Sequence, residues 1–198
     1  MSFRIEEKLF IDKDQFVEFR NFLKKKKVKK IFNPRLIESL YFDNSNFDLY
    51  KDSEEGTLPR KKIRIRHYPE DKIKNFYKEI KINSIEGRFK TSTIISESDF
   101  IKIKGSGVFD AQYGLCKPTI FVKYFREYYL LMNNIRITID TNITYKEIKF
   151  NKLYGENRVV VELKTDISKD LDELMSEFPI QRIRFSKYCF GINRILNI

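Results

Sequence analysis

Isoleucines 135, 137 and 139 alternate with Arg136, Thr138 and Asp140, and this alternation recurs along most of the chain. Side chains at i and i+2 of a strand share a face, so the pattern restricts the chain to strands with one apolar and one polar side. Val159, Val161 and Leu163 oppose Val160, Glu162 and Lys164, while Ile63 and Ile65 oppose Lys62, Arg64 and Arg66. Phe76, Ile80 and Ile82 oppose Glu79 and Lys81. Ile5 and Leu9 oppose Arg4, Glu6 and Lys8, with Glu7 interrupting the apolar side. Both faces are mixed in 119–131, yet Tyr124, Arg126 and Tyr128 fall together.

Strands are expected at 3–11, 38–43, 61–68, 75–83, 88–95, 119–131, 135–141, 145–150 and 158–165, with a turn through Met132, Asn133 and Asn134. Phe16, Val17, Phe19 and Leu23 fit a 3.6 period and predict a helix over 14–27, capped by Asp12 or Asp14. The lysine run from Lys24 to Lys30 reads as its solvated, dipole-compatible end. A short helix is expected at 98–104, ended by Gly105. Another is expected at 168–178, with Ser168 as cap and Leu171, Leu174, Met175 and Phe178 buried; a third covers the last dozen residues. So many short strands predict a mainly β (α+β) fold, an antiparallel barrel or sandwich. With 198 residues, 7 Gly, 5 Pro and no linker-like stretch, the chain reads as one domain over 1–198.

Composition narrows the chemistry. Cys116 and Cys189 stand far apart and His67 is the sole histidine, which excludes a Cys/His zinc site. Carboxylates, Lys, Arg and Tyr are left to carry any reaction, and both cysteines are expected as buried free thiols. No apolar run reaches the length of a membrane span, and the first residues carry no signal-like segment, so a cytoplasmic location is expected. The 39 Lys+Arg against 28 Asp+Glu give a net charge of +11, which calls for an anionic partner.

Three strands repeat Glu-x-Lys in one phase: Glu6/Lys8, Glu79/Lys81 and Glu162/Lys164. Two cations on same-face neighbours, about 6.6 Å apart, repel by about 2.5 kcal/mol at an effective dielectric of about 20, and by about 0.6 kcal/mol in water. Facing outward, the pattern is an ordinary wet sheet face. Converging inside a closed barrel, the same groups would crowd a cavity that only a polyanion relieves.

The segments Arg4-Ile-Glu-Glu-Lys8, Ser39-Leu-Tyr-Phe-Asp43, Lys62-Ile-Arg-Ile-Arg66, Glu79-Ile-Lys81, Tyr124-Phe-Arg126, Arg136-Ile-Thr-Ile-Asp140, Glu162-Leu-Lys164 and Phe185-Ser-Lys-Tyr188 run in this order through most of the chain. Together they resemble the triphosphate tunnel metalloenzymes, and within them the VTC (vacuolar transporter chaperone) domain of polyphosphate polymerases. The resemblance implies an antiparallel β-barrel tunnel with a basic lumen and helices packed outside. It further implies transfer of the terminal phosphate of ATP, or another triphosphate, onto inorganic polyphosphate with Mn2+ or Mg2+. By motif, Lys8, Arg64, Arg66, Lys81, Arg126, Arg136 and Lys187 would act on the phosphates as catalytic groups. Lys62, Arg88, Lys90, Tyr124, Lys164 and Ser186 would bind substrate, and Glu162 would hold the metal, helped by Glu6 or Glu79. Two departures stand out: Arg4 replaces the first acid of the Glu-x-Glu-x-Lys start of hydrolase and cyclase relatives, and Glu86 stands where a lysine is expected before Arg88 and Lys90. A triphosphate hydrolase and a non-catalytic polyphosphate-binding module use the same groups. No specific nucleic acid is expected, because carboxylates share faces with the cations.

Overall fold

The computed structural model describes residues 5–131, 134–166, 168–177 and 182–197, and the side chains of 168–170 are left aside. Phe3, Arg4, Met132, Asn133 and Phe178, all used in the sequence reading, lie outside the described residues, as does the side chain of Ser168. The strands are β1 (Ile5–Ile11), β2 (Lys29–Asp43), β3 (Arg60–His67), β4 (Phe76–Ser84), β5 (Gly87–Ile95), β6 (Val108–Asp110), β7 (Gly114–Leu131), β8 (Ile135–Glu147), β9 (Leu153–Glu156) and β10 (Val159–Thr165). The helices are α1 (Lys13–Lys25), α2 (Asp48–Glu55), α3 (Glu97–Ser106), α4 (Ser168–Glu177) and α5 (Lys187–Leu196). Strands dominate, and the pairings β1–β10, β10–β8, β2–β3, β3–β4, β4–β5 and β6–β7 are all antiparallel. The fold is therefore mainly antiparallel sheet with helices added. Among the described residues no helix is long and apolar enough to cross a membrane.

The chain forms two compact units, each discontinuous in sequence, and β2, β7, β8 and β9 contribute residues to both. The first unit comprises residues 1–35, 124–143 and 155–185. Its core gathers Leu9 and Ile11 of β1, Ile135, Ile137 and Ile139 of β8, and Val159, Val161 and Leu163 of β10. These are the apolar faces expected from the alternation. α1 covers them with Phe19 and Leu23, and α4 with Leu171 and Leu174. Asp12 supplies the expected cap: its carboxylate accepts from the Gln15 N–H, and Gln15 Oε1 accepts from the Asp12 N–H. Glu7, the acid interrupting the apolar face of β1, pairs with Arg182 at 3.7 Å.

The second unit comprises residues 36–123, 144–154 and 186–198. Its core joins Leu40 and Phe42 of β2, Ile63 and Ile65 of β3, Phe76 of β4 and Leu49 of α2, with Phe100 and Ile103 of α3 packed against them. α5 lies on the other side of this sheet, with Tyr188 stacked on Tyr41 at 5.1 Å between ring centres. Its Gly191 permits a close approach, since a Cβ there would come within 2.6 Å of Ile120 Cδ1 and Tyr145 Cδ1. Cys116 and Cys189 are buried free thiols, as expected.

Several element boundaries move. β2 begins at Lys29 rather than near Glu38, so two lysines of the basic run are strand residues. The two strands expected at 135–141 and 145–150 are one, β8, and the expected break survives as Asn142 with φ of 51°. Asparagine enters that left-handed region more readily than most residues. α3 is capped by Ser96 and runs past Gly105, ending at Gly107 with φ of 90°. α2, β6 and β9 have no counterpart among the expected elements.

Candidate functional site

In the first unit, the register turns two Glu-x-Lys strands into a charge lattice. Antiparallel pairing sets Glu6 opposite Lys164 and Lys8 opposite Glu162, so each acid of one strand faces the base of the other. β10 pairs onward with β8, which sets Lys164 opposite Arg136 and Glu162 opposite Thr138. The polar face thus has one row of Glu6, Lys164 and Arg136 and a second of Lys8, Glu162 and Thr138. Lys164 Nζ lies 3.5 Å from Glu6 and 3.2 Å from Glu162, and Lys8 Nζ lies 3.3 Å from Glu6. Lys8 also donates to the Phe185 carbonyl at 3.0 Å.

Arg126 closes this group on the β7 side. Its Nε and Nη2 donate to the two oxygens of Asp140 at 2.5 and 2.7 Å, a bidentate fork. Its Nη2 also lies 3.7 Å from Glu162, and its guanidinium sits 5.2 Å from the centre of the Tyr124 ring. Burial lowers the Arg126 pKa tendency, but Asp140, Tyr124 and Glu162 outweigh it and hold the group firmly protonated. Glu162 is 8 % exposed. Burial pushes its carboxyl upward, yet the hydrogen bond to Glu6 and the fields of Arg126, Lys164 and Lys8 hold it well below the usual carboxylate range. Arg136 stands exposed on the same face.

The second unit builds its polar face from three further rows. Ser39, Arg66, Tyr77 and Ile94 lie across from one another, as do Tyr41, Arg64, Glu79 and Ser92. The next row sets Lys62, Lys81 and Lys90 directly opposite one another. Like charges in opposed positions repel, so this face is poised for negative charge. Arg88 lies one row further along β5, opposite Asn83.

Arg64 is held from two sides. Its Nε and Nη2 each reach Glu79 Oε2 at 2.6 Å, and its Nη1 donates to the Tyr41 phenol at 2.9 Å. The second oxygen of Glu79 pairs with Lys90. Arg66 Nε donates to Ser39 Oγ at 3.2 Å. Burial raises the Tyr41 pKa tendency, but the fields of Arg64 and Arg66 and the Arg64 hydrogen bond leave that phenol below its ordinary value.

Lys62 Nζ donates at 2.9 Å to Ser186 Oγ, the oxygen that caps α5 by accepting from the Cys189 N–H. Lys187 follows at the first turn of α5, close enough to act electrostatically on Tyr41. The motif residues Lys62, Arg64, Arg66, Glu79, Lys81, Lys90, Ser186 and Lys187 thus belong to this unit. Glu6, Lys8, Tyr124, Arg126, Arg136, Glu162 and Lys164 belong to the first.

Asp43 and Tyr188 carry structural weight that the sequence reading did not assign. Asp43, 1 % exposed, accepts from the backbone N–H groups of Asn44, Leu49 and Tyr50 and from the Tyr188 phenol. Burial pushes the Asp43 carboxyl upward and the Tyr188 phenol well upward. The signal was present: Ser39, Tyr41 and Asp43 alternate with Leu40 and Phe42, which marks them as one polar face.

Glu79 makes stability depend on acid. Burial pushes its carboxyl up, but Arg64, Arg66 and Lys90 outweigh this and hold it at about 2 against an ordinary 4.5. A depressed folded-state pKa contributes stability above the unfolded value and loses it as pH falls through the folded one. The wild-type protein should therefore lose stability as pH falls from about 4.5 to about 2. A Glu79→Gln variant should lack that component, so the gap between their urea midpoints should narrow across the same interval; a constant gap would refute the assignment.

The oxygen-only pair of Glu162 and Glu6 would suit Mn2+ or Mg2+. Magnesium commonly binds through one or two carboxylates, with waters and substrate phosphates completing its shell. Among the described residues no group of three or more His, Cys, Asp or Glu side chains is gathered for a metal.

In each unit, antiparallel strands that are apolar beneath helices (α1 and α4 in the first, α2 and α3 in the second) and charged on the other face define the class of this fold. The chain belongs to the VTC domain family, whose sequence profile matches residues 3–196. No curated protein matches it significantly by sequence. Among solved structures, it is similar to the PH1819 protein of Pyrococcus horikoshii OT3, at 15% identity and a TM-score of 0.64, covering 97% of this chain and 99% of that one. It is also similar to a Bacillus halodurans protein provisionally named an adenylate cyclase, at 15% identity and a TM-score of 0.62, covering 94% and 96%. A chain of the Schizosaccharomyces pombe Mediator head module matches at 10% identity and a TM-score of 0.57, covering 90% and 96%. At these identities the likeness is one of fold.

Proposed function

We propose that the protein is a metal-dependent phosphotransferase of the polyphosphate polymerase kind, moving the terminal phosphate of ATP onto a polyphosphate chain. The observation that carries this reading is Glu162: a buried carboxylate kept ionised beside Glu6 and among Lys8, Lys164 and Arg126. Such a group serves a hard cation, and the cations around it serve phosphate oxygens.

Phosphoryl transfer needs positioning and charge neutralisation more than a side-chain nucleophile. A terminal oxygen of the polyphosphate acceptor attacks the γ-phosphorus. The bond to the β,γ-bridging oxygen breaks, and ADP leaves with that electron pair. Mn2+ or Mg2+ would supply charge stabilisation on the nucleotide oxygens. Arg64 and Arg126, each locked by a carboxylate, offer guanidinium edges that need little reorganisation. On the first unit Lys8 and Lys164 act as point charges for phosphate oxygens, with Arg136 on the same face and Tyr124 as a hydrogen-bonding group; on the second, Lys62, Lys81, Lys90 and Lys187 do so, with Arg66, Arg88 and Ser186.

Incubation with ATP and Mn2+, followed by gel staining, should yield long polyphosphate together with ADP. Free phosphate alone would replace this reading by a hydrolase, and tight tripolyphosphate binding without turnover by a binding module. Arg136→Ala should weaken tripolyphosphate binding about tenfold with little change in melting temperature, because this arginine is exposed. Unchanged affinity by calorimetry would remove Arg136 from the site.

A further inference from the structure

The polar face of the second unit changes character along its strands. The row of Lys62, Lys81 and Lys90 is wholly cationic, and the row of Arg64 and Glu79 is mixed. The row beyond holds Arg66, Tyr77 and Ile94. Ile94 is 63% exposed, and Tyr77 meets Tyr68 edge-on at 5.8 Å between ring centres. An aromatic ring, an exposed aliphatic side chain and an arginine therefore share one end of a face whose other end is lysine.

We propose that this end is the nucleoside subsite, where the base of the nucleotide stacks on Tyr77 against Ile94. Successive same-face rows are about 6.6 Å apart, so three rows span about 13 Å. That is the scale of a nucleoside triphosphate laid along the strands. The triphosphate then runs from Arg66 past Arg64 towards Lys62, Lys81 and Lys90, so the terminal phosphate lies among the lysines. Stacking on a π-face is tolerant of base identity, so the subsite accepts nucleotides with little regard to the base. The inference rests on the proposed nucleotide-dependent function and adds where the base sits.

The test compares ATP with tripolyphosphate, which carries phosphates and no base. Tyr77→Ala should weaken ATP binding about tenfold, the scale of one base stack, and leave tripolyphosphate affinity within about twofold. Tyr77→Phe keeps the ring and should retain ATP affinity. Equal losses for both ligands, or no loss for ATP, would overturn the subsite while leaving the broader reading intact. Wild-type protein that binds neither ligand would instead sink the functional reading. Tripolyphosphate affinity of Tyr77→Ala also reports whether the variant is folded.

Discussion

Glu162→Gln should reduce metal-dependent turnover by about 10²- to 10³-fold, the range seen when one preorganised electrostatic group is removed from a catalytic site. The amide keeps the shape and loses the charge that would hold a hard cation. Tripolyphosphate binding should persist or tighten, because Lys8, Lys164 and Arg126 lose an internal competitor. Rates in Mn2+ and calorimetry in its absence separate the two effects. A Gln variant turning over like the wild type would remove Glu162 from the chemistry.

Arg64→Ala should be strongly destabilising. It leaves the carboxylate of Glu79, 3% exposed, paired with Lys90 on one oxygen and stripped of the guanidinium on the other, and it removes the donor to Tyr41. Breaking a buried pair from one side costs about 3–5 kcal/mol, which lowers the melting temperature by about 10 °C for a chain of this size. The double variant Arg64→Ala/Glu79→Ala should recover a large part of that loss, because no buried charge is stranded. Thermal melts of both single variants and the double variant measure the coupling; additive losses would show that Arg64 and Glu79 do not act together.

The alternation of residues made the two faces of most strands legible, and with them the membership of both cores. It could not supply register. That Glu6 faces Lys164, and that Lys62, Lys81 and Lys90 fall in one row, depends on which residues pair across strands. α2 escaped because its first turn is not capped from its own N-terminal residue: Asp43 and Asn44, upstream, accept from the N–H groups of Asp48, Leu49 and Tyr50. The first half of β2 escaped because Lys29, Lys30, Asn33 and Pro34 have the composition of a loop. Asn142 read as a strand end because its sequence signal is that of a turn, whereas the backbone passes through it and continues.

The paired Glu-x-Lys strands separate two demands that usually conflict. Exchanging Glu with Lys in both β1 and β10 at once would preserve every opposite-sign pairing between the two strands. It would also move each carboxylate by one row, about 6.6 Å along the sheet, and set a lysine where Glu162 now meets Arg126. Strand association would be indifferent to the swap and chemistry would not, so cross-strand pairing leaves the order of these four charges open and only the site decides it.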